Sequence, residues 1–278
     1  MLQGISGTEK QNPVHVEETR SRAPKVSERP PARPAGSPRQ EPRRPWDGQP
    51  DFVACNFAVA NLSRELPARL QINGRVHAET CLAAIGAIAG FTAQHALLSH
   101  LKQTSDVATL KQLQTISTIG GDHYFFGEPL NRTLLPLSRA DAEGKLWSLA
   151  AGGAIAAGLH PSHLPAPQQI FVNVVNTLGS KREGMPSVPE RHAPAMRIKP
   201  LLQHVWPLAM MCVTGRLPDD PRKYGVPTLK FWPAIAAHAA SSIIRQAKTA
   251  VDPKIGLILV MESAIYASKL SSGLLKTA

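Results

Sequence analysis

One long apolar segment constrains the fold of this chain most strongly. From Cys81 to Ala93 every residue except Thr92 is apolar or glycine. Helical spacing places the larger side chains on one face of this segment and small ones over most of the remaining surface. A helix that is apolar nearly all round has to be enclosed by other elements. We therefore predict a helix over residues 74–103 at the centre of a helical bundle.

Gly86 and Gly90 lie four residues apart in this predicted helix. Residues at that spacing share a helix face, and glycine lets another backbone approach closely. Aromatic residues make up only 5% of the chain, so the core has to be assembled from many small side chains that each bury little area. The glycine pair therefore indicates close packing against a second element.

Further helices are predicted where apolar residues recur at helical spacing between loops rich in proline and glycine. Asp252-Pro253 gives the clearest start, with aspartate as N-cap and proline at the first helical position. Residues 51–60 alternate only loosely and allow a strand or an entry segment. The predicted helices of the second half cover 146–159, 165–178, 200–213, 233–248 and 254–270.

One small β-hairpin is predicted among these helices. Residues 111–120 alternate and contain several β-branched side chains, Gly120-Gly121-Asp122 supplies a turn, and an aromatic run follows to Phe126. The predicted fold class is therefore mainly α, a multi-helix bundle with a small β-hairpin.

The N-terminal region differs in composition from the rest of the chain. Residues 1–48 carry eight prolines and many charges but almost no large apolar residue. Such a segment buries too little surface to offset the entropy lost on ordering. We predict a disordered tail rich in proline and arginine over 1–48, followed by a single, mostly helical globular domain over 49–278.

The chain is basic, with a net charge of +11. Residues 181–230 hold nine Lys and Arg against four Asp and Glu, and such an excess attracts anionic partners through its long-range field. Lys181 and Arg182, just past the end of a predicted helix, are the candidate anion contacts. No stretch interleaves basic with aromatic residues, so nucleic-acid binding is not favoured.

The cysteines and the apolar runs bear on the compartment and on membranes. Cys55, Cys81 and Cys212 are far apart and form no CxxC pair, which is typical of reduced, buried thiols in a cytoplasmic protein. The apolar runs are shorter than the roughly 20 residues that a membrane-spanning helix needs. We therefore expect a cytoplasmic protein without a membrane span.

His77-Ala78-Glu79 opens the apolar helix and is the sharpest candidate for a metal or ligand site. The tripeptide is similar to the start of the zinc-binding helix in nucleobase deaminases, where histidine binds zinc and glutamate transfers protons. Those enzymes also need a Pro-Cys-x-x-Cys motif, which this chain lacks. We therefore predict no metal and no other cofactor. His77 and Glu79 stay candidate ligand-binding residues, and the alternative is a polar first turn in which Glu79 favours the helix dipole.

Glu262 and Tyr266 are further candidates because they lie in an otherwise apolar predicted helix. A carboxylate there is unfavourable unless it is paired or protonated. Glu262 therefore either makes a structural ion pair or hydrogen bond, or lines a pocket as an acid/base group. Asp122 and His123 at the hairpin turn complete the candidate ligand residues, and an aspartate that bonds its own backbone is the alternative there.

Three functions stay open on the sequence alone. The absence of phosphate-loop, nucleophile-elbow and metalloprotease motifs favours an interaction or assembly protein, which binds itself as a homo-oligomer or binds a protein or other anionic partner. The alternative is an enzyme or small-molecule binder with a pocket between helices, lined by Glu262, Glu79 and His77. The third is a weak nucleic-acid binder that uses residues 181–230.

Overall fold

A computed structural model describes residues 44–118, 121, 123–136, 141–217, 225–271 and 273. Residues 1–43 of the predicted tail and the candidate ligand residue Asp122 lie outside the described residues. The described residues belong to one compact unit, 43–278. Their fold is mainly helical, as the sequence predicts.

Nine α-helices are present in the described part of the chain. Six of them confirm the predicted helices to within a few residues at each end. The predicted cap is also present, since the Asp252 side chain accepts a hydrogen bond from the Lys254 N–H at 2.8 Å. The helices are α1 (Phe52–Arg69), α2 (Ala78–Thr104), α3 (Val107–Leu110), α4 (Glu128–Leu134), α5 (Leu146–Ala156), α6 (Pro167–Thr177), α7 (Ile198–Thr214), α8 (Trp232–Ala247) and α9 (Pro253–Ala267). The other three, α1, α3 and α4, were not predicted.

Two small antiparallel hairpins accompany the helices. Strands β3 (Gln114–Ser117) and β4 (His123–Phe126) form the predicted hairpin. Strands β1 (Gln71–Ile72) and β2 (Arg75–Val76) form a second one.

The second hairpin corrects the predicted start of the central helix at residue 74. Asn73 and Gly74 both have positive φ, 52° and 74°, which is the backbone of a tight hairpin turn. The helix therefore begins at Ala78, with His77 as its N-cap.

Residues 51–60 also differ from the sequence interpretation, because they lie in helix α1 except for the first residue. Ala54, Cys55, Ala58 and Leu62 are buried, and a helix brings all four to one side, whereas a strand would point the adjacent Ala54 and Cys55 to opposite faces. Exposed apolar residues at the start of the helix obscure this spacing in the sequence.

Helix α2 lies at the centre of the bundle, packed against α1, α7, α8 and α9. All its residues from Thr80 to Gln94 are buried. A Cβ atom added to Gly86 would lie 2.2 Å from the Val260 carbonyl oxygen, and one added to Gly90 would lie 1.9 Å from that of Ala264. The predicted close packing at this glycine pair is confirmed, and its partner is α9.

By length and composition, α2 could also cross a membrane, and no other helix among the described residues passes that test. However, 78% of its most apolar window is buried inside the protein. Such burial is typical of the core helix of a bundle, and it is consistent with the predicted absence of a membrane span.

Residues 44–48, which the sequence interpretation assigns to the tail, pack onto the helical unit. Trp46 is fully buried, and its ring lies against those of Phe231 and His238. Its indole N–H donates to Asn56 Oδ1 at 3.2 Å. One large apolar side chain among prolines and charges therefore anchors these residues to the helical unit.

The three cysteines are free and buried, as the sequence predicts. Burial raises the pKa of the Cys81 and Cys212 thiols to about 12. The thiolate is the reactive form of cysteine, so this environment makes both thiols poor nucleophiles. They contribute to the fold as small apolar side chains.

The end of α9 links the predicted hairpin to the central helix. The Phe125 N–H on β4 donates to the Lys269 carbonyl oxygen at 2.7 Å. Gln94 Nε2 on α2 donates to the carbonyl oxygens of Ser268 and Leu270 at 2.8 Å and 2.7 Å. These bonds fix the hairpin beside the C-terminal end of α9.

Candidate functional site

The segment 178–197 connects α6 to α7 and contains only one short 3-10 turn, at Glu190–His192. Irregular connections of this length are uncommon in compact domains and often build binding sites. Without helix or strand bonds, such a segment depends on other groups to hold its backbone. Three glutamates contribute to this: Glu183 and Glu262 accept from backbone N–H groups of the segment, and Glu79 pairs with the His192 side chain.

Glu183 holds the first part of the segment against α9 and β4. Its Oε1 accepts hydrogen bonds from the hydroxyls of Tyr124 and Tyr266, the latter at 2.8 Å, and its Oε2 accepts from the Gly179 N–H at 2.7 Å. Burial, together with the neighbouring Tyr124 and Glu183, raises the pKa of Tyr266. Tyr266 therefore stays protonated and acts as a fixed donor to the carboxylate.

Glu262 holds the middle of the segment. Its side chain is buried on α9, and Oε2 accepts from the Ser187 N–H at 2.6 Å. Oε1 accepts from the Ser187 hydroxyl and from Asn173 Nδ2 on α6, the latter at 3.2 Å. These bonds satisfy the carboxylate that the sequence places in an apolar helix.

Replacing Glu262 by glutamine is expected to destabilise the protein by roughly 2 kcal/mol, because the new amide group faces hydrogen-bond donors in a buried site. The free energy of unfolding from urea denaturation measures the effect. Glu128→Gln is the matched control, since that half-exposed carboxylate on α4 pairs with Arg132 across one turn of an exposed helix face. Equal stability of the two variants would show that Glu262 does not hold the segment.

Glu79 holds the last part of the segment at the start of α2. Its Oε1 lies 2.9 Å from His192 Nδ1, and the adjacent Thr80 hydroxyl accepts from the Ala195 N–H at 2.8 Å. His77 Nδ1 accepts from the Thr80 N–H at 3.3 Å, as an N-cap does. In the part of the chain that the structure describes, no group of three or more His, Cys, Asp or Glu residues could hold a metal ion.

The segment forms one wall of a cleft with a volume of about 660 Å³. The end of β3, the first turn of α7 and one tyrosine of α9 form the rest of its lining. Hydroxyl groups and cationic side chains provide most of its polar groups. The lining residues are Ser117, Thr118, Leu178, Gly179, Ser180, Glu183, Arg197, Lys199, Pro200 and Tyr266.

Positive charge is concentrated at the α7 end of the cleft. Arg197 and Lys199 line it, and Arg197 Nη2 donates to the Lys181 carbonyl oxygen at 2.8 Å. The candidate anion contacts Lys181 and Arg182 are exposed in the same turn. The described lining contains one carboxylate, Glu183, which already accepts three hydrogen bonds.

The two cations also stand at an unusual place on their helix. Helix α7 begins at Ile198, with Arg197 as its N-cap residue and Lys199 in its first turn. That turn contains no acidic residue, and no side chain caps it. A cation near a helix N-terminus is unfavourable by about 0.3–1 kcal/mol, whereas an anion is favourable there. A bound anion would therefore relieve this repulsion.

Among the candidate ligand residues that the structure describes, Tyr266 alone lines the cleft. Glu262 and Tyr266 line a second, much smaller cavity of about 10 Å³. His123 Nδ1 lies 2.8 Å from the hydroxyl of Ser117, a lining residue. His77 and Glu79 line neither cavity, so the predicted candidates do not converge around one site.

Six polar lining residues are absent from the sequence-based candidates: Ser117, Thr118, Ser180, Glu183, Arg197 and Lys199. A signal for the two cations exists in the sequence. They lie at the start of a predicted helix, where acidic residues are preferred. Two cations at this position do not stabilise the helix, so they indicate a role in binding.

No protein-family model matches this chain, no curated protein is found to be similar to it, and no solved structure matches its fold. The geometry and charge of the cleft are therefore the observations that bear on function.

Proposed function

We propose that the protein binds a small anionic molecule in the cleft formed by residues 178–197, the end of β3 and the first turn of α7. The pair Arg197 and Lys199 beside a hydroxyl-lined cavity carries this proposal. Guanidinium and ammonium groups bind carboxylates and phosphates through charge-assisted hydrogen bonds. The Ser117 hydroxyl, which lies 2.8 Å from His123 Nδ1, can orient a further polar atom of such a ligand. The Ser180 hydroxyl instead holds its own turn, since it donates to the Thr177 carbonyl oxygen at 2.7 Å and accepts from the Arg182 N–H at 3.1 Å.

The dimensions of the cleft support a ligand of metabolite size. Small-molecule sites usually enclose about 300–1,000 Å³, and the cleft falls within this range at about 660 Å³. Leu178, Pro200 and the ring of Tyr266 add apolar surface for the uncharged part of the ligand. The anionic group would lie at the α7 end, next to the cations.

The sequence allows a small-molecule binder with a pocket lined by Glu262, Glu79 and His77, and the proposed cleft is a small-molecule site with other lining residues. The proposed ligand is anionic, as is one of the partners that the sequence favours. It does not include catalysis, because Glu183 accepts three hydrogen bonds and is thereby occupied as a structural acceptor. A cytoplasmic location is proposed as well, and the buried free thiols support it. Self-association stays a prediction from the sequence.

Arg197→Gln and Lys199→Gln are each expected to weaken anion binding by at least tenfold, since each removes a charge-assisted hydrogen bond of about 1.5–3 kcal/mol. Isothermal titration calorimetry with sulfate, phosphate and citrate at constant ionic strength measures the dissociation constants.

The matched controls are Arg245→Gln on α8 and Lys254→Gln on α9, two exposed cations that do not line the cleft. They remove the same charge and are expected to leave the affinity within about twofold, since exposed charges at a distance are largely screened. If all four variants weaken binding equally, the anions respond to the overall charge and the cleft is not the site. Tight RNA binding with a steep salt dependence would instead favour the nucleic-acid hypothesis.

A further inference from the structure

Lys269, two residues past the end of α9, is a fully buried lysine. Its Nζ atom has no hydrogen-bond partner among the described residues. It lies over two aromatic rings instead, 4.5 Å from the centroid of Phe126 and 4.9 Å from that of Phe171. Rings in this position attract an ammonium group, but they do not replace the hydrogen bonds and the counter-ion that a buried cation needs.

A shared strand face and one contact between aromatic rings place the Lys269 amine behind the wall of the cleft. Tyr124 and Phe126 are two residues apart on β4 and therefore point to the same face of the hairpin. The Tyr124 ring packs against that of Tyr266, with centroids 6.3 Å apart, and Tyr266 lines the cleft. Side chains two apart on a strand are separated by about 7 Å, so the amine lies on the order of 10 Å from the cleft wall.

We propose that Lys269 makes anion binding in the cleft dependent on pH, because its buried ammonium group attracts the bound anion and the neutral amine does not. This inference rests on the proposed function of the cleft. A charge in the protein interior acts over such a distance with little screening. The anion at the α7 end lies about one cleft width beyond the wall, roughly 20 Å from the amine. At an effective dielectric constant of about 20, the attraction then changes the affinity for a doubly charged anion by roughly tenfold.

The coupling has to be reciprocal. If the ammonium strengthens anion binding, then a bound anion must favour the protonated amine by the same factor. Burial lowers the pKa of Lys269 to about 8, which places the change in affinity just above neutral pH. A saturating anion is expected to move that midpoint upward by about one unit.

Burial is the cause of the lowered pKa of Lys269, and other titratable groups lie on the elements around its contacts. Helix α6 and strand β3 carry none. The neighbouring elements α2, α4, β4 and α9 and the turn after α6 do carry titratable side chains. Those nearest in sequence to the residues that Lys269 contacts are His95, Glu128, Arg132, His123, Tyr124, Glu183, Glu262 and Tyr266. All of them are present in the Lys269→Met variant, so comparison with that variant isolates the contribution of Lys269.

Sulfate is the appropriate probe, since it keeps the same charge between about pH 7 and about pH 9, a range below the usual pKa of lysine. Calorimetry is expected to show roughly fivefold weaker sulfate binding by the natural protein at the higher pH, because the upward shift of the midpoint leaves the amine about half protonated in the bound protein there. The Lys269→Met variant is expected to bind with the weaker affinity at both pH values. In the natural protein, the Cε resonance of Lys269 followed through a pH titration reports the shift of its midpoint on addition of sulfate.

The possible results separate the two proposals. If sulfate binding depends on pH equally in both proteins, and sulfate does not move the midpoint of the Lys269 Cε titration, the proposed role of Lys269 is wrong. The anion site itself would stand. An absence of sulfate binding at every pH overturns both. The Cε titration uses the natural protein, so it decides the question even if the variant folds poorly.

Discussion

Replacing Gly90 by alanine is expected to destabilise the protein by roughly 3 kcal/mol or more, the upper range for overpacked cores. The new methyl group would lie 1.9 Å from the Ala264 carbonyl oxygen and 2.8 Å from its Cα atom. These atoms belong to the α9 backbone, which cannot move aside as a flexible side chain could. Helices α2 and α9 would have to separate, and the gain of about 1 kcal/mol in helix propensity is too small to compensate.

Gly152→Ala on α5 is the matched control, because no atom lies within 4 Å of the Cβ position there. That variant is expected to gain about 0.5–1 kcal/mol from the lower entropy of its unfolded chain. Urea denaturation of both variants measures the two effects. Equal stability of Gly90→Ala and Gly152→Ala would show that α2 and α9 do not pack closely at Gly90.

Replacing Lys269 by methionine is expected to stabilise the protein by roughly 3 kcal/mol near neutral pH. Burial lowers the pKa of this lysine from its usual 10.5 to about 8, and each unit corresponds to about 1.4 kcal/mol. Methionine fills a similar volume and packs well against aromatic rings. It needs neither a proton nor a hydrogen-bond partner.

The sign of this effect follows from proton binding. Between about pH 8 and 10.5 the unfolded chain holds the Lys269 proton more tightly than the folded protein does. The stability of the natural protein therefore rises with pH across this window, and the contribution is lost as pH falls towards 8. The variant lacks this slope, so the unfolding free energies of the two proteins should converge as the pH approaches about 10.5. A constant difference at all pH values would contradict the account.

A gain in stability together with weaker anion binding would fit a general pattern. Residues that serve a binding site are often unfavourable for the fold, and their removal stabilises the protein while it impairs function. Arg197 and Lys199 at the positive end of α7 follow the same pattern. The unfavourable placements of Lys269, Arg197 and Lys199 thus lie around one cleft, where conflicts with the rules of folding are expected to mark function.

Much of the fold could be predicted from local patterns. The apolar run around Gly86 and Gly90 predicts a central helix, since few other environments can enclose it. Asp252-Pro253 predicts the start of α9 because the cap depends on adjacent residues. Trp46 shows the limit of such patterns, because its burial depends on Phe231 and His238, which are distant in sequence.

The cleft could be predicted only in part, because it is built from tertiary contacts. Glu79 and Glu262 stand out in the sequence as polar groups beside apolar helices, yet both hold the segment 178–197 in place. Glu183 has a similar role, and its partners Tyr124 and Tyr266 are distant from it in the chain. No spacing rule connects such groups until the helices have packed.

The most direct test of the anion site is a sulfate titration followed by the backbone amide chemical shifts of the isotope-labelled protein. The account predicts saturable shifts concentrated at Gly179–Glu183, at Ser117 and at the first turn of α7, with smaller changes elsewhere. Shifts that are scattered over the exposed lysines and arginines, or that grow linearly without saturation, would contradict it.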